Sequence, residues 1–137
     1  MKYALKNAVI LDGTKDMELL HGQSVLVECE TIVGLVPAGS EPMGFEPVDL
    51  SGKYLMPGLF NMHVHLAGSG KPQKKQRDNE KLVKTIMGSG LTRAVAYSMV
   101  RGFARDELMS GVTTIRTMGG LGNFDSRLRD EIAAGRQ

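Results

Sequence analysis

Two histidines, His63 and His65, stand one residue apart in the stretch LMPGLFNMHVHLAGSG, which runs from Leu55 to Gly70. Residues i and i+2 of a β-strand point to the same face, so the two imidazoles would project side by side, with Val64 on the opposite face. At a rise of roughly 3.3 Å per residue their Cα atoms would lie about 6.6 Å apart. Imidazole arms can converge from that separation on one cation, with Zn–N near about 2.0–2.1 Å. Neutral imidazole is the commonest metal ligand and carries no charge that must be desolvated. The same spacing also suits two polar residues on an ordinary strand, so the surroundings decide. The pair closes an apolar run, and Gly68 and Gly70 follow it as a loop over the same edge. Ligand and catalytic groups of parallel α/β folds gather at the C-terminal ends of strands.

Other chemistry-bearing residues read more plainly. Cys29, the single cysteine, sits in the apolar run SVLVEC and is expected to be a buried, inert thiol. His21, the only other histidine, falls in the N-terminal β-region and is expected at the surface. GLGNFD (Gly120, Gly122, Asp125) follows one element and opens another, faintly like a dinucleotide fingerprint. It lacks the third glycine, and the expected acidic residue about 20 positions on lies beyond the chain end. The basic stretch KPQKKQR (Lys71, Lys74, Lys75, Arg77) is expected to be a solvated loop. Nucleic-acid binding would want a larger patch interleaved with aromatics, which make up only 5% of the chain.

The elements that must position the histidines follow from period and punctuation. YALKNAVIL is one β-rich run ending at the turn signal Asp12-Gly13-Thr14. SVLVEC and TIVGLV abut at Glu30-Thr31 and predict a hairpin turning there. PAGSEPMGFEP is a loop by its prolines and glycines. After Gly70 the period changes. DNEKLVKTIM predicts a short helix with Asp78 as N-cap, interrupted by Gly88 and Gly90. A longer helix follows from Leu91, where Leu91, Val95, Met99 and Phe103 recur every four residues, with Val100, Ala104 and Leu108 beside them. Met99 and Phe103 are therefore expected in the core, and Gly111 is expected to end the helix. VTTIRTM predicts a strand, GGLGN a loop, and DSRLRDEIAAG a final helix with Asp125 as N-cap, Leu128 and Ile132 on one face and Gly135 as its stop. Strand, loop, helix, strand, loop, helix implies βαβ units and a parallel sheet.

Composition sets the outer bounds. The chain has 137 residues, 42% hydrophobic and 23% charged, a length that suits a domain of common size. No apolar run reaches the roughly 18 residues of a membrane span, and the start, MKYALKNAVILDG, reads as a strand rather than a leader. One cysteine excludes an internal disulfide and fits a reduced compartment, so a cytoplasmic location is expected. Residues 1–50 carry 3 Lys/Arg against 8 Asp/Glu, and residues 51–137 carry 14 against 7. That reversal predicts two structural units meeting near Ser51.

GKYLMPGLFNMHVHL resembles the signature of the amidohydrolase superfamily, in which Pro-Gly-Leu opens the first barrel strand and His-x-His closes it. GVTTIRTMGG is similar to that family's second barrel strand and LRDEIAAG to its second helix. The pairing is most similar to the imidazolonepropionase-like and Xaa-Pro dipeptidase-like branch. The resemblance implies an α/β chain. Residues 1–54 would be a small β-domain of short antiparallel strands, part of a composite β-sandwich. Residues 55–137 would be about two βα units of a (β/α)8 TIM barrel. It implies a metal-dependent hydrolase of C–N bonds, with one or two divalent ions, most often Zn²⁺, held in part by His63 and His65. The GGLGN loop would lie at the rim of that site. Asn61 stands where the family often has Asp, and Thr117 where this branch often has Asp, and both weaken any guess at substrate.

Much of such an enzyme is missing. A whole (β/α)8 barrel needs about 250 residues, and a catalytic zinc needs three protein ligands plus water. The family's later ligands and its general base have no place in this chain, so no catalytic residue is assigned. The chain is expected to be an N-terminal fragment, the retained part of a longer protein, or one piece of an assembly, and to be inactive alone. A small-molecule or dipeptide-like substrate is expected, with no nucleic-acid or membrane partner, and with homo-oligomerisation or association with the missing barrel. Two other functions compete: a non-enzymatic amidohydrolase-like scaffold or assembly subunit, and a nucleotide-binding βαβ module. Metal analysis separates the first two readings from the third.

Overall fold

The computed structural model describes residues 1–68, 70 and 78–136. The basic stretch from Lys71 to Arg77 lies outside the described residues. The chain divides into two compact units, Met1–Pro57 and Gly58–Gln137. Among the described residues no helix is long and apolar enough to cross a membrane.

The first unit is built of β1 (Lys2–Lys6), β2 (Val9–Leu11), β3 (Leu19–Leu20), β4 (Gln23–Glu28), β5 (Thr31–Pro37), β6 (Glu46–Asp49) and β7 (Tyr54–Leu55). They form a four-stranded sheet in the order β5-β4-β1-β6 and a three-stranded sheet in the order β3-β2-β7. YALKNAVIL is therefore two strands in two sheets, not one. The break falls at Asn7, whose φ of 64° lies in the left-handed region that asparagine tolerates better than most residues. The Asn7 amide Nδ2 donates to Asp49 Oδ1 at 2.8 Å, which fixes the bend. The strands are mixed rather than antiparallel: β1 pairs β6 and β2 pairs β7 in parallel. Pro47 lies on the edge strand β6, where a missing N–H can be tolerated.

The β4–β5 hairpin forms, but its turn is Cys29-Glu30, with Cys29 at φ 54°. Cys29 is thus exposed at a turn rather than buried. The apolar run that suggested burial ends at Val27, two residues before it. Ala4, Ala8, Ile10, Val25 and Leu26 make the core of this unit. Ser24 is fully buried among them, and its hydroxyl donates to Glu41 Oε1 at 2.6 Å. Lys6 Nζ lies 3.3 Å from Glu41 Oε2.

The second unit contains β8 (Leu59–Val64), α1 (Asn79–Met87), α2 (Gly90–Met109), β9 (Val112–Thr117) and α3 (Phe124–Ala133). β8 and β9 pair in parallel, so the crossover predicted from alternation is present, with two helices in it. Gly58 precedes β8 because a Cβ there would overlap the Thr113 side chain on β9. The helix starts are capped as their chemistry demands. The Asp78 carboxylate accepts from the Lys81 N–H at 3.0 Å, and Ser89 and Thr92 form a reciprocal capping box. Gly111, at φ 95°, follows the end of α2, and Gly135, at φ 66°, follows the end of α3.

Val64, Leu66, Ala96, Tyr97, Val100, Phe124 and Leu128 form one core. The stripe that α2 buries is Ala96, Tyr97 and Val100, with Phe103 and Ala104 packed beside it. Leu91, Val95 and Met99 are 77%, 56% and 55% exposed, so Met99 is not a core residue. The buried face is turned by about one residue, roughly 100° of helix, from the expected one. Tyr97 accounts for the choice. Its ring packs on Phe124 of α3 with centroids 5.5 Å apart, and its hydroxyl donates to Glu131 Oε2 at 2.5 Å. Arg127 Nε donates to Glu131 Oε1 at 2.7 Å, and the Arg127 guanidinium lies 4.0 Å from the Tyr97 ring centre. Burial, then the Glu131 contact, raises the Tyr97 pKa, so the phenol stays protonated at neutral pH. On α3, Leu128 is buried but Ile132 is 56% exposed.

Candidate metal centre

His63 belongs to β8, and His65 lies one residue past its end. Both side chains are exposed at the C-terminal end of the strand, while Val64 between them is buried on the other face. This is the alternation that the His-x-His spacing dictates. The two imidazoles converge. Their Nε2 atoms are 3.1 Å apart, with ring centroids at 5.1 Å and planes crossing at 64°. Two nitrogens on one tetrahedral ion with bonds of about 2.0–2.1 Å would be about 3.3–3.4 Å apart. The observed separation is close to that edge, so the pair fits a shared divalent cation without rebuilding the strand.

Several contacts hold the pair in place. The Asn61 side-chain oxygen accepts from the His63 backbone N–H at 3.2 Å. On β9, Arg116 Nε donates to the Met62 carbonyl at 3.2 Å, and the Met118 N–H donates to the Val64 carbonyl at 3.0 Å. His65 Nδ1 lies 3.0 Å from the Gly119 carbonyl oxygen. Gly119 has φ 126° and opens the loop between β9 and α3. The loop therefore does reach the histidines, through its main chain. Sequence reasoning named the loop but not Gly119, because a backbone carbonyl leaves no side-chain motif. The one available signal was a double glycine directly after a strand.

Among the described residues, no group of three His, Cys, Asp or Glu side chains is gathered to hold a metal. His21 is exposed in the first unit. Asp125 is not an N-cap. The cap of α3 is Asn123, which makes no side-chain capping bond, and Asp125 occupies the first turn. Its carboxylate packs against Gly120, where a Cβ would overlap it. A pyrophosphate approaching that glycine would meet a carboxylate instead of free N–H groups, which tells against the dinucleotide reading. Asp125, Thr113, Thr117 and Leu66 line an open cavity of about 450 Å³ against α2 and α3.

Residues 54–135 match the family model described as "Amidohydrolase family". The chain is 30% identical over 125 residues to an imidazolonepropionase of Klebsiella pneumoniae subsp. pneumoniae, covering 81% of this chain and 31% of that protein. It is 31% identical over 75 residues to a dihydroorotase of Trichlorobacter lovleyi, covering 55% of this chain and 17% of that protein. Among solved structures it is similar to a protein assigned as a prolidase from Bifidobacterium longum. That match has a TM-score of 0.72 and 29% identity, over 99% of this chain and 28% of the other. A Xaa-Pro dipeptidase with methionine bound in its active site gives a TM-score of 0.72 at 22% identity, over 100% of this chain and 31% of the other, and shows the shared fold. The chain thus spans less than a third of the length of the relatives it matches.

Proposed function

The chain belongs to the amidohydrolase family, and from that premise we propose that it supplies two ligands of the metal site of a hydrolase acting on C–N bonds. The observation that carries this reading is the 3.1 Å approach of His63 Nε2 to His65 Nε2 at a strand's C-terminal end. β8 and β9 are read as the first two strands of a (β/α)8 barrel. The further ligands and the general base belong to strands outside this sequence. His63 and His65 would hold a divalent ion such as Zn²⁺, which when bound would supply a Lewis acid and lower the pKa of water toward neutrality. The chain's own residues have a narrower task. His63 and His65 offer two neutral donors on one face, Asn61 and Arg116 tie the backbone beneath them, and Val64 anchors the strand in the core. The substrate class is a small molecule or dipeptide with a hydrolysable C–N bond, in keeping with the relative named as a Xaa-Pro dipeptidase.

Calorimetric titration of the purified chain with Zn²⁺ tests the ligand pair. Weak binding is expected, because two imidazoles are fewer than the three protein ligands a catalytic zinc uses. His63→Ala and His65→Ala should each lower it to the level of the double variant. Equal binding by the native chain and both variants would refute the assignment. No turnover is expected from this chain alone, and hydrolysis that His63→Ala abolished would overturn the view that the site is partial.

A further inference from the structure

His63 and His65 are not held in the same way. His63 lies within β8, at an irregularity of the β8–β9 register between Asn61 and Val64 where its N–H goes to the Asn61 side chain, whereas His65 comes one residue after the strand has ended. Pairing between the two strands continues only to the Met118 N–H on the Val64 carbonyl. The next contact across the gap is the one between His65 Nδ1 and the Gly119 carbonyl, at 3.0 Å.

A carbonyl oxygen only accepts, so the hydrogen bond requires the proton on Nδ1 of His65. A neutral imidazole protonated at Nδ1 has its lone pair on Nε2, the nitrogen that faces His63. One main-chain contact therefore sets both the tautomer and the direction of the ring. We propose that Gly119 is a positioning residue whose carbonyl locks His65 as the Nδ1–H tautomer and so prepares Nε2 to receive the metal. The proposal rests on the reading of His63 and His65 as ligands.

The backbone explains why glycine stands here. At φ 126°, Gly119 turns the chain out of the β9 ladder immediately after Met118. L-residues rarely adopt that φ, so a side chain would drive the peptide into another conformation and move the carbonyl. Space is not the obstacle, since a Cβ would lie 4.0 Å from the nearest His65 ring atoms. The neighbouring Gly120 has a different task, making room for the Asp125 carboxylate in the first turn of α3. The two adjacent glycines thus serve the site and the helix separately.

Nitrogen-15 NMR of the metal-free chain, with its histidine ring nitrogens labelled, reads the tautomer directly. His65 should appear as the Nδ1–H form, and a dominant Nε2–H form in the native chain would overturn the proposal by itself. In Gly119→Ala the Nδ1–H population should fall, and Zn²⁺ affinity should drop by about 10–100-fold, the usual loss when the partner of a ligating histidine is removed. An unchanged tautomer and affinity in Gly119→Ala would also overturn it. Should that variant fail to fold, the native tautomer still decides. Failure of the ligand reading looks different: His65 would keep the Nδ1–H form while Zn²⁺ binding proved insensitive to His63→Ala and His65→Ala.

Discussion

At the scale of single residues, Gly58 is needed for packing, since a methyl group there would overlap the Thr113 side chain. Gly58→Ala should destabilise the second unit by about 1–3 kcal/mol, the usual range for overpacking, and a second change, Thr113→Ala, should return part of the loss. Denaturant melts of the two single variants and the double variant measure that coupling. Strict additivity would argue against the contact. Glu41 gives a pH prediction. The Ser24 hydroxyl is the largest influence holding its pKa down to about 2, against an ordinary value of 4.5. A carboxylate with a lowered folded-state pKa stabilises fully above its unfolded value and loses that contribution as pH falls through the folded one. The denaturation midpoint should therefore decline between about pH 4.5 and 2, and Glu41→Gln should flatten that decline. An unaltered acid limb in the variant would rule Glu41 out as its source. The Ser24–Glu41 hydrogen bond was invisible in the sequence, where a hairpin and a loop separate the two residues, whereas the shared face of His63 and His65 was legible because strand period puts i and i+2 on one side.

At the scale of elements, the outcome turned on how many faces of a helix are apolar. α1 and α3 have their large apolar residues at a spacing that leaves one face, Leu82, Val83, Ile86 and Met87 in α1 and Phe124, Leu128 and Ile132 in α3, and Gly88 and Gly135 mark where they end. α2 has apolar residues around much of its circumference, so periodicity alone offers more than one stripe. The buried stripe is chosen by a partner that the helix's own sequence does not contain: Phe124, Arg127 and Glu131 of α3. Tyr97→Phe removes the hydroxyl that joins α2 to Glu131 while keeping the ring stacked. A loss of about 1.5–3 kcal/mol is expected, the scale of a hydrogen bond to a charged acceptor, with Arg127 still pairing the carboxylate. Thermal melts of the two proteins test it, and an unchanged midpoint would place the stability of this contact in the rings alone. α3 also anchors the far end of the loop that begins with Met118 and Gly119. Loosening α3 through Tyr97 should for that reason broaden the His65 ring signals even though Tyr97 does not touch the histidines.

At the scale of the whole molecule, the chain is two units with opposite charge balance and incomplete cover. The parallel sheet of the second unit has two strands among the described residues, and Phe60, Leu91, Met109 and Val95 are 70%, 77%, 74% and 56% exposed. Open strand edges and exposed apolar side chains favour association. Sedimentation velocity of the purified chain should show concentration-dependent self-association, and a monomer persisting at about 100 µM would contradict this. Charge sign reverses near Ser51 and period changes after Gly70, whereas the mixed sheets of the first unit left no mark in the sequence. Their parallel pairs join strands far apart in sequence, and no local signal records such a pairing. The hairpin turn at Cys29 has one more consequence. As the sole cysteine, exposed in the first unit, it accepts a single nitroxide label, while the histidine pair in the second unit, on the ligand reading proposed above, would seat Cu²⁺. Dipolar spectroscopy between those two spins would then read out a distance from one unit to the other with no added mutation, giving a molecular ruler native to the chain.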